Sequence, residues 1–262
     1  MGAGVSVSKP EMSGTSARAG TGDTPVIAQA QPKGLLARVV GVILSPRATY
    51  AEVASRPTWF GVLVFVFIVS TIGAAALLST EVGRKAIVDV QITQSESYGR
   101  QMTQEQIDML ERMSSYYVYL APVFQLFYYV AGTLVVSGLG FAAFSALLGG
   151  DARFKQVFAI VAHSSVVFAL QQLFTQPLDY ARQSLTSPTT LAVFLPFLDD
   201  GSFMASFFGA IDLFLIWWTI NLAIGLGVLY RKRTQPIAVT LLLVYGAIAI
   251  VVATVKTALS GA

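Results

Sequence analysis

Of 262 residues, 55% are apolar and 12% charged, the mean hydropathy is +0.66 and the formal net charge is +3. An ordinary soluble domain carries about 25% charged residues, so this composition excludes that class and points to a chain solvated by lipid. With no cysteine and one histidine, His163, disulfides, thiolate chemistry and multi-histidine metal centres are excluded as well.

Residues 1–33 are rich in Gly, Ser, Ala, Thr and Pro without an aliphatic run. Such a segment buries too little apolar area to offset its ordering entropy, and it is expected to be a disordered cytoplasmic tail. The Gly2 and Ser6 spacing has the form of a myristoylation signal, but the pattern is short enough to arise by chance. Residues 34–58 follow as two short helices. Leu35, Leu36, Val39, Val42 and Ile43 form one apolar stripe suited to the headgroup region or to packing ahead of the first span. Ser45 and Pro46 then supply an N-cap and a first helical residue for the second helix.

The uncharged run from Trp59 to Leu78 is long enough to cross a hydrocarbon core about 30 Å thick. From Ser79 to Ser115 the chain turns polar, and Thr103 with Gln106 reads as a capping box opening a helix that runs towards the second span, about 118–148. A tight turn at Gly149–Arg153 leads to a third span, about 155–174, which carries His163, Ser164, Ser165, Gln171 and Gln172. Residues 175–202 hold three prolines and read as an extramembrane loop. The fourth span, about 205–230, contains Asp212 and Asn221, and the fifth, about 236–255, follows Arg231-Lys232-Arg233. The expected fold is therefore an all-α integral membrane protein, with a transmembrane bundle of five helices over residues 59–258.

If the N-terminus and the loops at 149–156 and 230–235 share one side, that side holds eleven Lys and Arg against six on the other. The positive-inside rule then places the N-terminus in the cytoplasm and the C-terminus outside. Small residues recur every four positions at Gly138, Ala142, Ala146 and Gly150, and again at Ala223 and Gly227 and at Ala249 and Ala253. Helices associate in lipid through such close-packing faces, either within the bundle or between copies.

Asp212 is the only carboxylate inside a span and is a functional candidate for that reason. Placed midway along the fourth span, it would lie at the depth of His163 and could form a proton relay or cation site with it, with Asn221 as a further polar contact. If the helix instead begins near Gly209, its carboxylate is satisfied by backbone amides at the helix start. Phosphate-binding, zinc-protease and serine-hydrolase motifs are absent. His163 and Ser164 are neighbours in sequence, which splays them about 100° apart on a helix and disfavours a nucleophile and base pair. No enzyme, cofactor, metal or nucleic-acid partner is expected.

Leu44-Ser45-Pro46-Arg47-Ala48-Thr49-Tyr50 ahead of Arg56-Pro57-Thr58-Trp59, then Ala162-His163-Ser164-Ser165, then Asp212 to Trp217 running to Gly225-Leu226-Gly227, resemble the bacterial branch of the Yip-domain (Ypt/Rab-interacting protein) family over about residues 34–258. The resemblance implies five spans, a cytoplasmic N-terminus and a place in a bacterial inner membrane. Eukaryotic relatives bind Rab-type GTPases, but their Asp-Leu-Tyr-Gly-Pro motif is absent here. The third span, as bounded above, also lacks the proline expected midway. The resulting expectation is a non-enzymatic multi-pass protein acting through contacts with lipid, with a membrane protein partner or with a second copy. The alternative is a small transporter or permease component using Asp212 and His163.

Overall fold

Long uncharged runs flanked by proline and glycine punctuation fold as helices throughout the computed structural model, which describes residues 1–4, 34–147, 149–199 and 201–260. Most of the expected N-terminal tail, including Ser6, therefore lies outside the described residues. The elements below belong to one compact unit, Lys33–Ala262.

Two ten-residue helices, α1 (Leu35–Leu44) and α2 (Pro46–Ser55), form a hairpin. Pro46 is at the first helical position as expected, whereas the Ser45 side chain makes no cap bond. Next come α3 (Phe60–Leu78), α4 (Glu81–Ser97), α5 (Gln104–Ser114) and α6 (Tyr117–Phe141), the last prolonged by a π-helical stretch at Ala142–Leu147. Then follow α7 (Phe154–Ser164), α8 (Val166–Arg182), a short 3-10 turn at Leu191–Phe194, α9 (Phe203–Gly209), α10 (Leu213–Leu229) and α11 (Thr234–Ser260). Among the described residues there is no strand, only an isolated bridge between Thr190 and Asp212.

Among the described residues, four stretches are long and apolar enough to cross a membrane: Phe60–Leu78, Tyr117–Ser145, Phe154–Arg182 and Thr234–Leu259. The third is the axis of the bundle, with 67% of its apolar window buried against 17–28% for the other three. Residues Val157 to Ser164 of α7 are all buried. Around this axis stand α3, α6, α10 and the α1–α2 hairpin, and α11 lies outside α10. Because lipid tails solvate leucine as well as a neighbouring helix does, the outer helices have no need to bury more than one side.

The Thr103–Gln106 capping box is present, with Thr103 N–H donating to Gln106 Oε1 at 2.9 Å and Gln106 N–H to Thr103 Oγ1 at 3.3 Å. Other expectations change. Residues 81–97, read as part of a polar connection, form α4, opened by Thr80 Oγ1 accepting from Gly83 N–H at 3.0 Å. The third apolar helix does not stop near residue 174 but continues to Arg182, so Asp179 joins Asp212 as a carboxylate in an apolar stretch, and its one proline, Pro177, lies in the last two turns and not midway. The fourth apolar segment is not one helix over 205–230: it breaks at Ala210–Asp212 between α9 and α10.

Candidate functional site

Two polar centres inside the bundle account for most of the polar residues singled out in the sequence. The first begins with Pro46. A helical carbonyl normally accepts the N–H four residues on, and proline has none, so the Val42 carbonyl near the end of α1 is left without its partner. Asn221 of α10 takes that role, its Nδ2 donating to Val42 O at 3.3 Å. One turn beyond Pro46, the Tyr50 hydroxyl donates to Asn221 Oδ1 at 2.7 Å. Tyr50 is fully buried and Asn221 nearly so, which leaves the amide satisfied on both sides. Burial pushes the Tyr50 phenol well above its ordinary pKa, so it remains a donor.

Two glycines make this approach possible. A Cβ on Gly41 would stand 2.3 Å from Thr49 Oγ1, and one on Gly225 would stand 2.4 Å from Ile160 Cγ2 and 3.2 Å from the Tyr50 ring. The α1–α2 turn and the crossing of α2, α7 and α10 therefore each need a residue without a side chain. Tyr50, the Val42 carbonyl, Gly41 and Gly225 were not singled out as site residues. The signal was available in the offset of four from Val42 to Pro46.

His163, one helix away, is almost fully buried. Its Nδ1 lies 2.8 Å from Ala159 O, and since a carbonyl only accepts, the proton of the neutral ring is on Nδ1. The Nε2 lone pair then faces the interior with no donor. Ser164 and Ser165 both return their hydroxyls to Val161 O, at 2.7 and 3.1 Å. Such back-bonds bend helices, and α7 gives way to α8 at Ser165. The Ala-His-Ser-Ser stretch thus spends His163 Nδ1 and both hydroxyls on its own backbone.

Asp212 forms the second centre. It is the N-cap of α10, and its carboxylate accepts from five donors. These are Thr189 Oγ1 at 2.5 Å, Phe214 N–H at 2.8 Å, Ser187 Oγ at 2.9 Å, Gln171 Nε2 at 3.2 Å and Leu215 N–H at 3.3 Å. Tyr245 of α11 spans the α9–α10 break, donating to Ala210 O and accepting from Asp212 N–H, each at 2.8 Å. A carboxylate engaged by this many donors at a helix N-terminus has little capacity left for a ligand.

The structure does not bring Asp212, His163 and Asn221 together. The Gly225–Ile160 approach and the stacked Phe168 and Trp218 rings, 5.4 Å apart, bracket His163 at the level of Asn221. Asp212 lies nine residues earlier on α10, about 14 Å away along the axis. Among the described residues no group of three or more His, Cys, Asp or Glu converges as a metal site. Two open clefts, lined by residues such as Glu96, Met102, Lys85 and Glu111, lie between α4 and α5 and share no lining residue with either centre.

The small-residue faces fall in different places. Ala223, Ala249 and Ala253 are buried, and Gly227 lies tight against Thr234 and the Lys232 carbonyl. Gly150 packs against the Tyr230 ring. By contrast, a Cβ on Gly138 would meet nothing within 4 Å, and Ala142 is exposed. The buried residues of α6 are Thr133 and Ser137 instead. The Ala146 side chain lies outside the described residues.

Helices able to cross a membrane surround a buried axis, and segments 44–59 and 212–227 supply polar contacts that assemble the bundle around it. No curated protein and no solved structure matches the sequence. The Yip1 domain pattern matches residues 40–255, most of the chain and all of these contacts, so the chain belongs to the Yip1 domain family.

Proposed function

We propose that this chain is a non-enzymatic membrane protein with five crossings, acting in membrane organisation through contacts on its outer surface. The observation that carries this reading is the engagement of Asp212 and Asn221 by the protein itself. Asp212 accepts five donors and Asn221 is bonded on both sides, so neither is left to bind or relay a substrate. The fifth crossing is α10, an apolar helix of 17 residues that spans about 26 Å, completed by the α9–α10 break. With Arg231-Lys232-Arg233 on the cytoplasmic side of a bacterial inner membrane, the N-terminus is cytoplasmic and the C-terminus outside.

Sidedness can be tested directly because the chain has no cysteine. Ser55→Cys is expected to resist, and Ser115→Cys to react with, a membrane-impermeant maleimide added outside intact cells. The reverse pattern overturns the topology. In liposomes the protein is expected to support no proton or cation flux above that of empty vesicles. A flux that Asp212→Asn or His163→Ala abolishes would establish the transport alternative and sink the contact reading.

A further inference from the structure

We infer that the basic end of the bundle is a binding surface for anionic phospholipid, with phosphate headgroups on a rim of cations and acyl chains against the outer face of α1. This rests on the contact reading above and names the lipid class.

Three segments distant in sequence meet at this end. Arg47 Nη2 reaches Thr234 Oγ1 at 3.4 Å, joining the start of α2 to the start of α11. Gln156 Nε2 donates to Ala54 O at 2.8 Å, joining α7 to the end of α2. Ser145 Oγ and Tyr230 Oη lie 2.8 Å apart, which brings the loop at 149–153 to the end of α10. The rim so formed presents Arg47, Arg56, Arg153, Lys155 and the Arg231-Lys232-Arg233 run, all exposed. Among the described residues of these segments, Asp151 is the only exposed carboxylate, and Glu52 lies 3.8 Å from Arg38. At the other end of the bundle acidic and basic residues alternate, as in Glu81-Val82-Gly83-Arg84-Lys85 and Glu111-Arg112.

Orientation during insertion accounts for a cation excess but not for α1. This helix is too short to cross, about 15 Å, and is tied to the same end by the Arg38–Thr58 hydrogen bond and by Leu35 lying against Gly61. One side of it, Val39, Gly41 and Val42, is buried in the bundle. Another side is also apolar: Leu36, Val40 and Leu44, spaced by four, are 69%, 51% and 77% exposed. An apolar helical stripe next to a cationic rim complements a molecule with hydrocarbon and phosphate in fixed order, which a phospholipid has and free phosphate or an acidic peptide lacks.

The test is native mass spectrometry of the full chain in a neutral detergent, titrated with dioleoyl phosphatidylglycerol or dioleoyl phosphatidylcholine. Each cation near an anionic surface contributes roughly fivefold, so the anionic lipid is expected to bind at least about tenfold more tightly. That preference is expected to shrink as the Debye length falls from ~10 to ~3 Å, between about 0.1 and 1 M salt. Arg47→Gln with Arg153→Gln removes two exposed cations without touching the 231–233 run that governs insertion, and is expected to weaken the anionic lipid at least about tenfold. Arg84→Gln with Lys85→Gln at the opposite end is expected to change nothing. Leu36→Ser with Leu44→Ser is expected to weaken the lipid while leaving any binding of inorganic phosphate unaltered. Equal affinity for the two lipids overturns the proposal, as does displacement of the anionic lipid by inorganic phosphate at matching concentration. Neither result bears on ion flux, so failure here is separable from failure of the contact reading.

Discussion

The Tyr50 hydroxyl and the Asn221 amide, 171 positions apart in sequence and 2.7 Å apart in space, fasten the α1–α2 hairpin to the transmembrane bundle. Tyr50→Phe removes the donor and leaves a buried amide oxygen unsatisfied, which costs about 1–3 kcal/mol. A lower Tm in detergent is expected. Asn221→Leu additionally orphans the Val42 carbonyl, so its loss is expected to be larger. The double variant should lose less than the two single losses together, because the Tyr50–Asn221 bond is counted in both. Additive losses would show that the two residues act independently.

Gly225 and Gly138 make opposite demands. Gly225→Ala drives a methyl into Ile160 Cγ2, 2.4 Å from where the new Cβ would stand, and overpacking of this kind costs about 1–3 kcal/mol. Ile160→Ala in the same chain is expected to restore part of the loss. Gly138→Ala meets nothing within 4 Å and should melt like the parent. Ala142→Leu, on the same open side, is likewise expected to leave the folded protomer intact, so any effect it has on size by light scattering reports contact between copies.

How much of this was legible depended on which force decided each element. Hydrophobic length sets where lipid solvates the chain, and the start of α3 at Phe60 and the capping box at Thr103 follow from local patterns alone. The end of the third helix does not. Hydropathy falls after Phe174, yet the helix runs on because Gln176 packs against α3 at Gly73, a tertiary contact that a window sum cannot register. The same blindness hid α4, whose buried positions Gly83, Ala86 and Val88 are diluted by charges. A helix that begins near Gly209, with Asp212 at its start, is one of two readings the sequence allows, and the α9–α10 break is not among them. Choosing between them required knowing that Ser187 and Thr189 return to meet the carboxylate. The pairing of Asp212 with His163 rested on equal depth, and the break removes that premise.

Asp212 is expected to behave as a structural staple. Asp212→Asn keeps an acceptor for the Phe214 and Leu215 amides but replaces the oxygen that accepts from Ser187 and Thr189 with a donor, while Asp212→Ala removes the cap and strands the Thr189 and Ser187 hydroxyls and the Gln171 amide. Loss of an N-cap alone costs about 0.5–2 kcal/mol, and each stranded buried donor adds to it. The alanine variant should therefore melt lowest, with the asparagine variant between it and the parent. Limited proteolysis should find a new cut between Ser187 and Asp212 in the alanine variant first. Equal stability of all three chains would contradict this role.

Asp179 presents the reverse case. It is 7% exposed on α8, and its Oδ1 has no donor. Arg182, one turn on, gives its guanidinium to Thr186 O at 3.1 Å. A charge removed from water without hydrogen bonds is destabilising in proportion to how poorly it is paired. Asp179→Asn keeps the shape of the side chain and removes that charge, so it is expected to raise the Tm, by an amount corresponding to about 1 kcal/mol or more. Asp212→Asn, made in parallel, should move the Tm the other way, since the same chemical change there removes one of two oxygens that between them accept from five donors. If both variants shift in one direction, the distinction between a paired and an unpaired carboxylate is not what governs stability at these two positions.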